Sequence, residues 1–209
     1  RISMNRSGKI KIIRENIKVK PDIHKALELI GCKTGAEIGV RQGGNLTSLN
    51  ANSLFRSGFL IGVDCWKEFP ENPEFNDENY SQEILDHMYF TCLNKFRNDH
   101  HIKIIRSLSK EASIMLSDDI LDFIYIDAAH DYESMYDDLN YWWPKLKSGG
   151  ILSGHDYFPD KRIWRGKECG VFKAVNHFLS AKDLPVIHTT DTDSEGGPNV
   201  ACNSFFAIK

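Results

Sequence analysis

The chain has 209 residues, 41% of them hydrophobic, which is enough apolar matter to bury one sizeable core, and no linker-like stretch divides it, so residues 1–209 read as a single domain. A formal net charge of -3 excludes a general attraction to nucleic acid or an anionic membrane, and no apolar run approaches the roughly 18 residues of a membrane span. Five cysteines, odd in number and without a C-x-x-C pair, argue against a disulfide framework or zinc ribbon and for a reducing, cytoplasmic setting. No signal-peptide pattern opens the chain, although its start on Arg1 weakens that inference.

Residues 1–20 are basic and irregular; Ile10, Ile12, Ile17 and Val19 predict at most a weak strand or a docking arm, with no chemistry assigned to it. Pro21-Asp22 marks a helix start, and Ile23, Ala26, Leu27 and Ile30 share one face up to a stop at Gly31, predicting a helix against the sheet edge. From Gly35 to Asn45 a short apolar strand runs into a Gly-rich turn, followed by a helix through about Arg56. Glycines there let a nucleotide-type ligand approach the backbone at a helix start; a tight turn with no ligand fits the same residues. The strand Phe59 to Val63 ends in Asp64, about 20 residues past Gly43, the spacing of an acid that accepts from both ribose hydroxyls. A surface Asp capping a turn is the plainer alternative. Trp66 suits either stacking on an adenine or burial in the core.

Residues 67–100 read as a lid-like insertion, a Pro/Asn/Glu loop followed by a helix through Tyr80, Ile84, Met88, Cys92 and Phe96. A third strand covers Ile102 to Arg106, after which Ser107 or Ser109 caps the next helix or meets an adenine edge. The stretch Leu121 to Tyr157 organises the rest. Leu121 to Ile126 is a buried strand ending in Asp127, then Tyr132, Met135, Tyr136, Leu139, Trp142, Trp143 and Leu146 repeat at helical spacing, with Gly149-Gly150 as the stop. The next strand, Ile151 to Gly154, ends in His155-Asp156. A right-handed strand, helix, strand unit brings both strand ends to one edge, so Asp127, His130, His155 and Asp156 converge on one cleft. An excursion from Phe158 to Lys167 borders that cleft, a helix follows over Val171 to Leu179, and Val186 to Thr190 with Asn203 to Ile208 form an antiparallel hairpin.

Five or more parallel strands closed by an antiparallel terminal pair give an α/β, doubly wound, mostly parallel seven-stranded sheet. From Ala36 to Lys209 the chain resembles the class I S-adenosylmethionine-dependent methyltransferases. Glu37-Ile38-Gly39-Val40-Arg41-Gln42-Gly43 matches their E/D-x-G-x-x-x-G signature, and Asp64 matches their ribose-binding acid. Ile126 to Tyr132, Gly149-Gly150 and His155-Asp156-Tyr157 resemble the small-molecule and sugar O-methyltransferases of the macrolide-sugar type, and more distantly the metal-dependent catechol type. That resemblance implies S-adenosylmethionine held by Glu37, Gly39, Gly43, Asp64, Trp66, Ser107 and Asp127. It also implies Mg²⁺ held by Asp127 and Asp156, with His155 the available third ligand, and His130 as the base. The metal-dependent relatives carry a further acid or amide beside the second Asp, where this chain has His155 and Tyr157.

The chemistry is coherent in itself. A hydroxyl is a poor nucleophile, which a carboxylate-held cation can acidify, and a histidine such as His130 has an unperturbed pKa in the range needed to take its proton. A helix-start His paired with Asp127 or Asp131 is the structural alternative for His130, and a helix N-cap that for Asp127. Two carboxylates at adjacent strand ends repel, which calls for a cation, a protonated carboxyl or a nearby base such as Lys161, Arg162 or Arg165. The expected partner is a small-molecule or glycan acceptor, with no nucleic acid or membrane and with self-association open. Metal-independent transfer with His130 alone, a nicotinamide-dependent oxidoreductase and a non-catalytic binding module are the competing readings.

Overall fold

The computed structural model describes residues 4–18, 20–71, 80–159, 163–164, 167–192 and 201–209. Its strands are β1 (Thr34–Ile38), β2 (Phe59–Asp64), β3 (Ile102–Arg106), β4 (Leu121–Ile126), β5 (Leu146–Gly154), β6 (Ile163–Trp164), β7 (Lys167–Glu168), β8 (Ile187–Thr192) and β9 (Ala201–Ile208). Its helices are α1 (Arg6–Asn16), α2 (Ile23–Ile30), α3 (Gly44–Leu49), α4 (Gln82–Phe96), α5 (Ser109–Ile114), α6 (Tyr132–Trp142) and α7 (Val171–Ser180). Seven strands form one sheet in the order β3-β2-β1-β4-β5-β9-β8. β1 to β5 pair in parallel, while β9 runs antiparallel to both β5 and β8. The expected doubly wound architecture and the terminal hairpin are therefore present.

Alternation along each strand splits the core in two. Phe123 and Tyr125 on β4 pack on the face covered by α1 to α4, whereas Ile124 and Ile126 pack on the face covered by α5 to α7. α2 lies over the first face through Ile23, Ala26 and Leu27, a correction to its expected place at the sheet edge. The supposedly irregular N-terminus is in fact helical over α1, because burial of Ile13 outweighs its weak helix propensity. The helical part of the expected lid, α4, is the crossover from β2 to β3 and buries Met88, Cys92 and Phe96; residues 72–79 of that stretch lie outside the described residues.

A further difference concerns the stop after α6. Pro144 has no N–H to continue the helix, so α6 passes into a 3-10 turn over Trp143–Lys145, and Gly149-Gly150 falls inside β5. Among the described residues no helix is long and apolar enough to cross a membrane.

Candidate active site

The C-terminal ends of β2, β1, β4 and β5, adjacent in the sheet, carry a continuous ridge of polar side chains. At the β1 end, Gly39 has φ +88°, and a Cβ there would come within 2.0 Å of the Asp127 carbonyl oxygen, so only glycine lets the turn close against β4. Asp127 N–H donates to the Ile38 carbonyl at 2.8 Å across the same junction. Gly43, at φ +77°, leads into α3 and faces Phe96 of α4, whose ring would lie 2.8 Å from an added Cβ.

Glu37 is buried beneath this turn. Its Oε1 accepts from Asn45 Nδ2 at 2.9 Å, while Oε2 has no hydrogen-bond partner among the described residues. Burial pushes its carboxyl up to about 8, so it is largely protonated at neutral pH and able to donate. Asp64 accepts from the backbone N–H groups of Arg41 at 2.8 Å and Trp66 at 3.0 Å, which ties the Gly-rich turn to β2; burial raises its carboxyl despite those bonds. Ser107 sits beside it, its N–H donating to the Asp64 carbonyl at 3.0 Å and its hydroxyl to Glu111 at 3.3 Å. Neither serine caps α5 through its side chain, whose N-cap position is Leu108.

Trp66 is a correction. The ring is 1% exposed, packs on Tyr89 and donates from Nε1 to the Arg41 carbonyl at 2.8 Å, so it supports the turn from the core and offers no face for stacking.

Four expected residues do converge. His130 Nε2 lies 2.7 Å from Asp156 Oδ2 and 3.9 Å from Asp127 Oδ1. His155 Nδ1 lies 3.3 Å from Asp156 Oδ2 and 3.9 Å from Asp127 Oδ1. The α6 N-cap is Asp131, which accepts from Ser134 N–H at 2.9 Å, so neither Asp127 nor His130 is spent on capping. The His130 carbonyl is held by Gly170 N–H at 2.7 Å. Asp156 adopts φ +56°, a left-handed conformation that Asp tolerates better than most residues and that marks the end of β5 as a specialised position. Burial works to raise its carboxyl, but hydrogen bonds and positive charge from His130 and His155 outweigh that and hold it well below the usual range.

One side chain at the site carried no sequence signal. Lys20, in the turn before α2, places Nζ 2.6 Å from Asp127 Oδ2. The expected bases Lys161, Arg162 and Arg165 lie outside the described residues. Among the described residues, the donor atoms that group within 4.8 Å of one another, as a cation needs, belong to Asp127, His130 and Asp156, with His130 in place of the expected His155.

A family model described as "Methyltransferase domain" matches residues 36–157, which include every described site residue above except Lys20 and Gly170. No curated protein matches by sequence. Solved structures do. An O-methyltransferase from Bacillus cereus in complex with SAH is similar at 12% identity and TM-score 0.66, over 100% of this chain and 93% of that one. The O-methyltransferase TomG from Streptomyces achromogenes, involved in tomaymycin synthesis, is similar at 12% identity and TM-score 0.62, over 97% and 88%. The N-methyltransferase NodS from Bradyrhizobium japonicum is similar at 13% identity and TM-score 0.60, over 95% and 97%. At such identities the likeness is one of fold, and it spans transfer to both oxygen and nitrogen.

Proposed function

Because this chain belongs to the methyltransferase-domain family, we propose that it is an S-adenosylmethionine-dependent O-methyltransferase acting on a hydroxyl of a small molecule or sugar. The observation that carries the reading is the unbroken ridge from Asp64 through Glu37, Gly39 and Gly43 to Asp127, His130 and Asp156, a nucleoside-type half joined to an acid-base half. Bound along the first half, S-adenosylmethionine supplies a methyl group already activated by its sulfonium. Asp64 would accept from the ribose, Glu37 would face a polar group of the amino-acid end, and the glycines would allow close backbone approach. His130 takes the acceptor's proton: with Nε2–H donating to Asp156, the lone pair is on Nδ1, and the Asp156 carboxylate stabilises the imidazolium that forms. A base at this position suits a hydroxyl acceptor, which must lose its proton to attack.

A divalent cation is the second reading, favoured by the grouping of Asp127, His130 and Asp156 donors. Carboxylate oxygens suit Mg²⁺ and the imidazole tilts the set towards Mn²⁺ or Zn²⁺, any of which would acidify the hydroxyl directly. His130 would then be a ligand and not the base. Local charges favour the metal-independent form: Lys20 already answers Asp127, and the two histidines answer Asp156. A nicotinamide site is disfavoured by the lack of a G-x-G-x-x-G order and by antiparallel β9.

Calorimetry with S-adenosylhomocysteine and with NAD tests the proposal, followed by a screen of sugar and phenol acceptors. S-adenosylhomocysteine is expected to bind and NAD not to. Asp64→Asn is expected to weaken that binding by roughly 1–3 kcal/mol, the scale of hydrogen bonds to a charged acceptor. Binding of NAD alone would sink the reading, and an unchanged Kd in Asp64→Asn would remove the ribose assignment.

A further inference from the structure

The N-terminal segment delivers a side chain to the centre of the site. α1 is anchored by the buried Ile13 and Ile17, and Lys9 Nζ donates to the Gly149 carbonyl on β5. On the far side of the turn, α2 begins with the buried Ile23. Between these anchors Lys20 lies over the Tyr125 ring, Nζ 5.1 Å from its centroid, and reaches Asp127 Oδ2. The pair is mostly enclosed, the side chains being 24% and 20% exposed, so it differs from a screened surface salt bridge. Burial works against the Lys20 ammonium, and the ion pair with Asp127 Oδ2 answers that cost.

The two carboxylate oxygens of Asp127 therefore face different partners. Oδ2 is engaged by Lys20, and Oδ1 faces His130 and His155, each at 3.9 Å. We propose that Lys20 is a positioning residue of the transfer site, its ammonium fixing the Asp127 carboxylate so that Oδ1 is presented to the His130 and Asp156 cluster. The role rests on the methyl-transfer reading above; the ion pair itself does not. It makes the segment before the family-matched region part of the working enzyme.

The experiment compares wild type with Lys20→Met, Lys20→Arg, Asp127→Asn and the Lys20→Met/Asp127→Asn double variant. Lys20→Met is expected to lower kcat by about 10- to 100-fold, the scale of a misplaced reacting group, with S-adenosylhomocysteine Kd unchanged. Lys20→Arg, which keeps the charge, is expected to recover most of that loss. In thermal unfolding the double variant is expected to lose no more Tm than the poorer single, as partners in one ion pair should. Unchanged kcat in Lys20→Met, or a kcat loss that Lys20→Arg does not relieve, overturns the positioning role. Additive Tm losses overturn the pair. Should Lys20→Met not fold, Lys20→Gln takes its place in both comparisons. A wild type that neither binds S-adenosylhomocysteine nor transfers methyl sinks the methyl-transfer reading and the role with it, while the Tm comparison still decides the pair.

Discussion

Asp156 receives hydrogen bonds from two imidazoles, and this sharing limits what each can do. Its carboxyl is lower in the folded state than in the unfolded one, so it contributes stability that is present above about pH 4 and is lost as pH falls through the folded value. At working pH it is therefore a fixed anion, able to orient His130 and unable to act as an acid. His130→Ala is expected to cut kcat by roughly 10²–10⁴-fold while leaving S-adenosylhomocysteine affinity unchanged. The same assay, run after exhaustive EDTA treatment, separates base from ligand. As a base, His130 sustains full wild-type activity in chelator; activity lost in EDTA and restored by Mg²⁺ or Mn²⁺ would make His130 a ligand instead. A loss of only a few-fold in His130→Ala would discard both roles.

At the scale of elements, the junction of α5 and α6 holds a second buried carboxyl, remote in role from the ridge. Trp142 Nε1 donates to Ser109 Oγ at 2.9 Å, and the Ser109 hydroxyl in turn bonds Asp138, which is 6% exposed. Ser109 thus joins two helices, a use its position in the sequence did not suggest. Burial pushes the Asp138 carboxyl up to about 7. The sign follows from proton uptake: between about pH 4 and pH 7 the folded state holds a proton that the unfolded state has released, so stability declines across that window and levels off above it. Asp138→Asn removes this titration. The variant is expected to be more stable than wild type at pH 8, by on the order of 2–4 kcal/mol, and nearly equal to it at pH 4. Urea midpoints of both proteins at the two pH values measure this, and a difference between variant and wild type that does not grow from pH 4 to pH 8 would refute the burial argument.

For the whole molecule, the candidate site edge was legible because three strand runs each end in or just before an acid: Asp64, Asp127 and Asp156 stand where the apolar runs stop. Convergence of His130 and His155 followed from the handedness of one crossover. Lys20 was not legible, because its link to Asp127 spans 107 residues and no local pattern encodes it. Trp66 had two equal uses, and only packing against Tyr89 chose between them. α1 was hidden by β-branched residues whose burial, not propensity, makes the helix. That last point makes the site depend on a docking event N-terminal to the family-matched residues. Ile13→Ala removes a side chain only 1% exposed and is expected to cost about 2–5 kcal/mol. A comparable cost is expected for Leu179→Ala in the core on the other face of the sheet. The two should differ in activity, since weakened α1 docking lets Lys20 leave Asp127, while Leu179 packs in the core on the face of the sheet away from α1 and Lys20. Below both melting temperatures, kcat is expected to fall in Ile13→Ala and to stay at the wild-type level in Leu179→Ala. Equal kcat in the two variants would mean that the turn carrying Lys20 holds its place without α1.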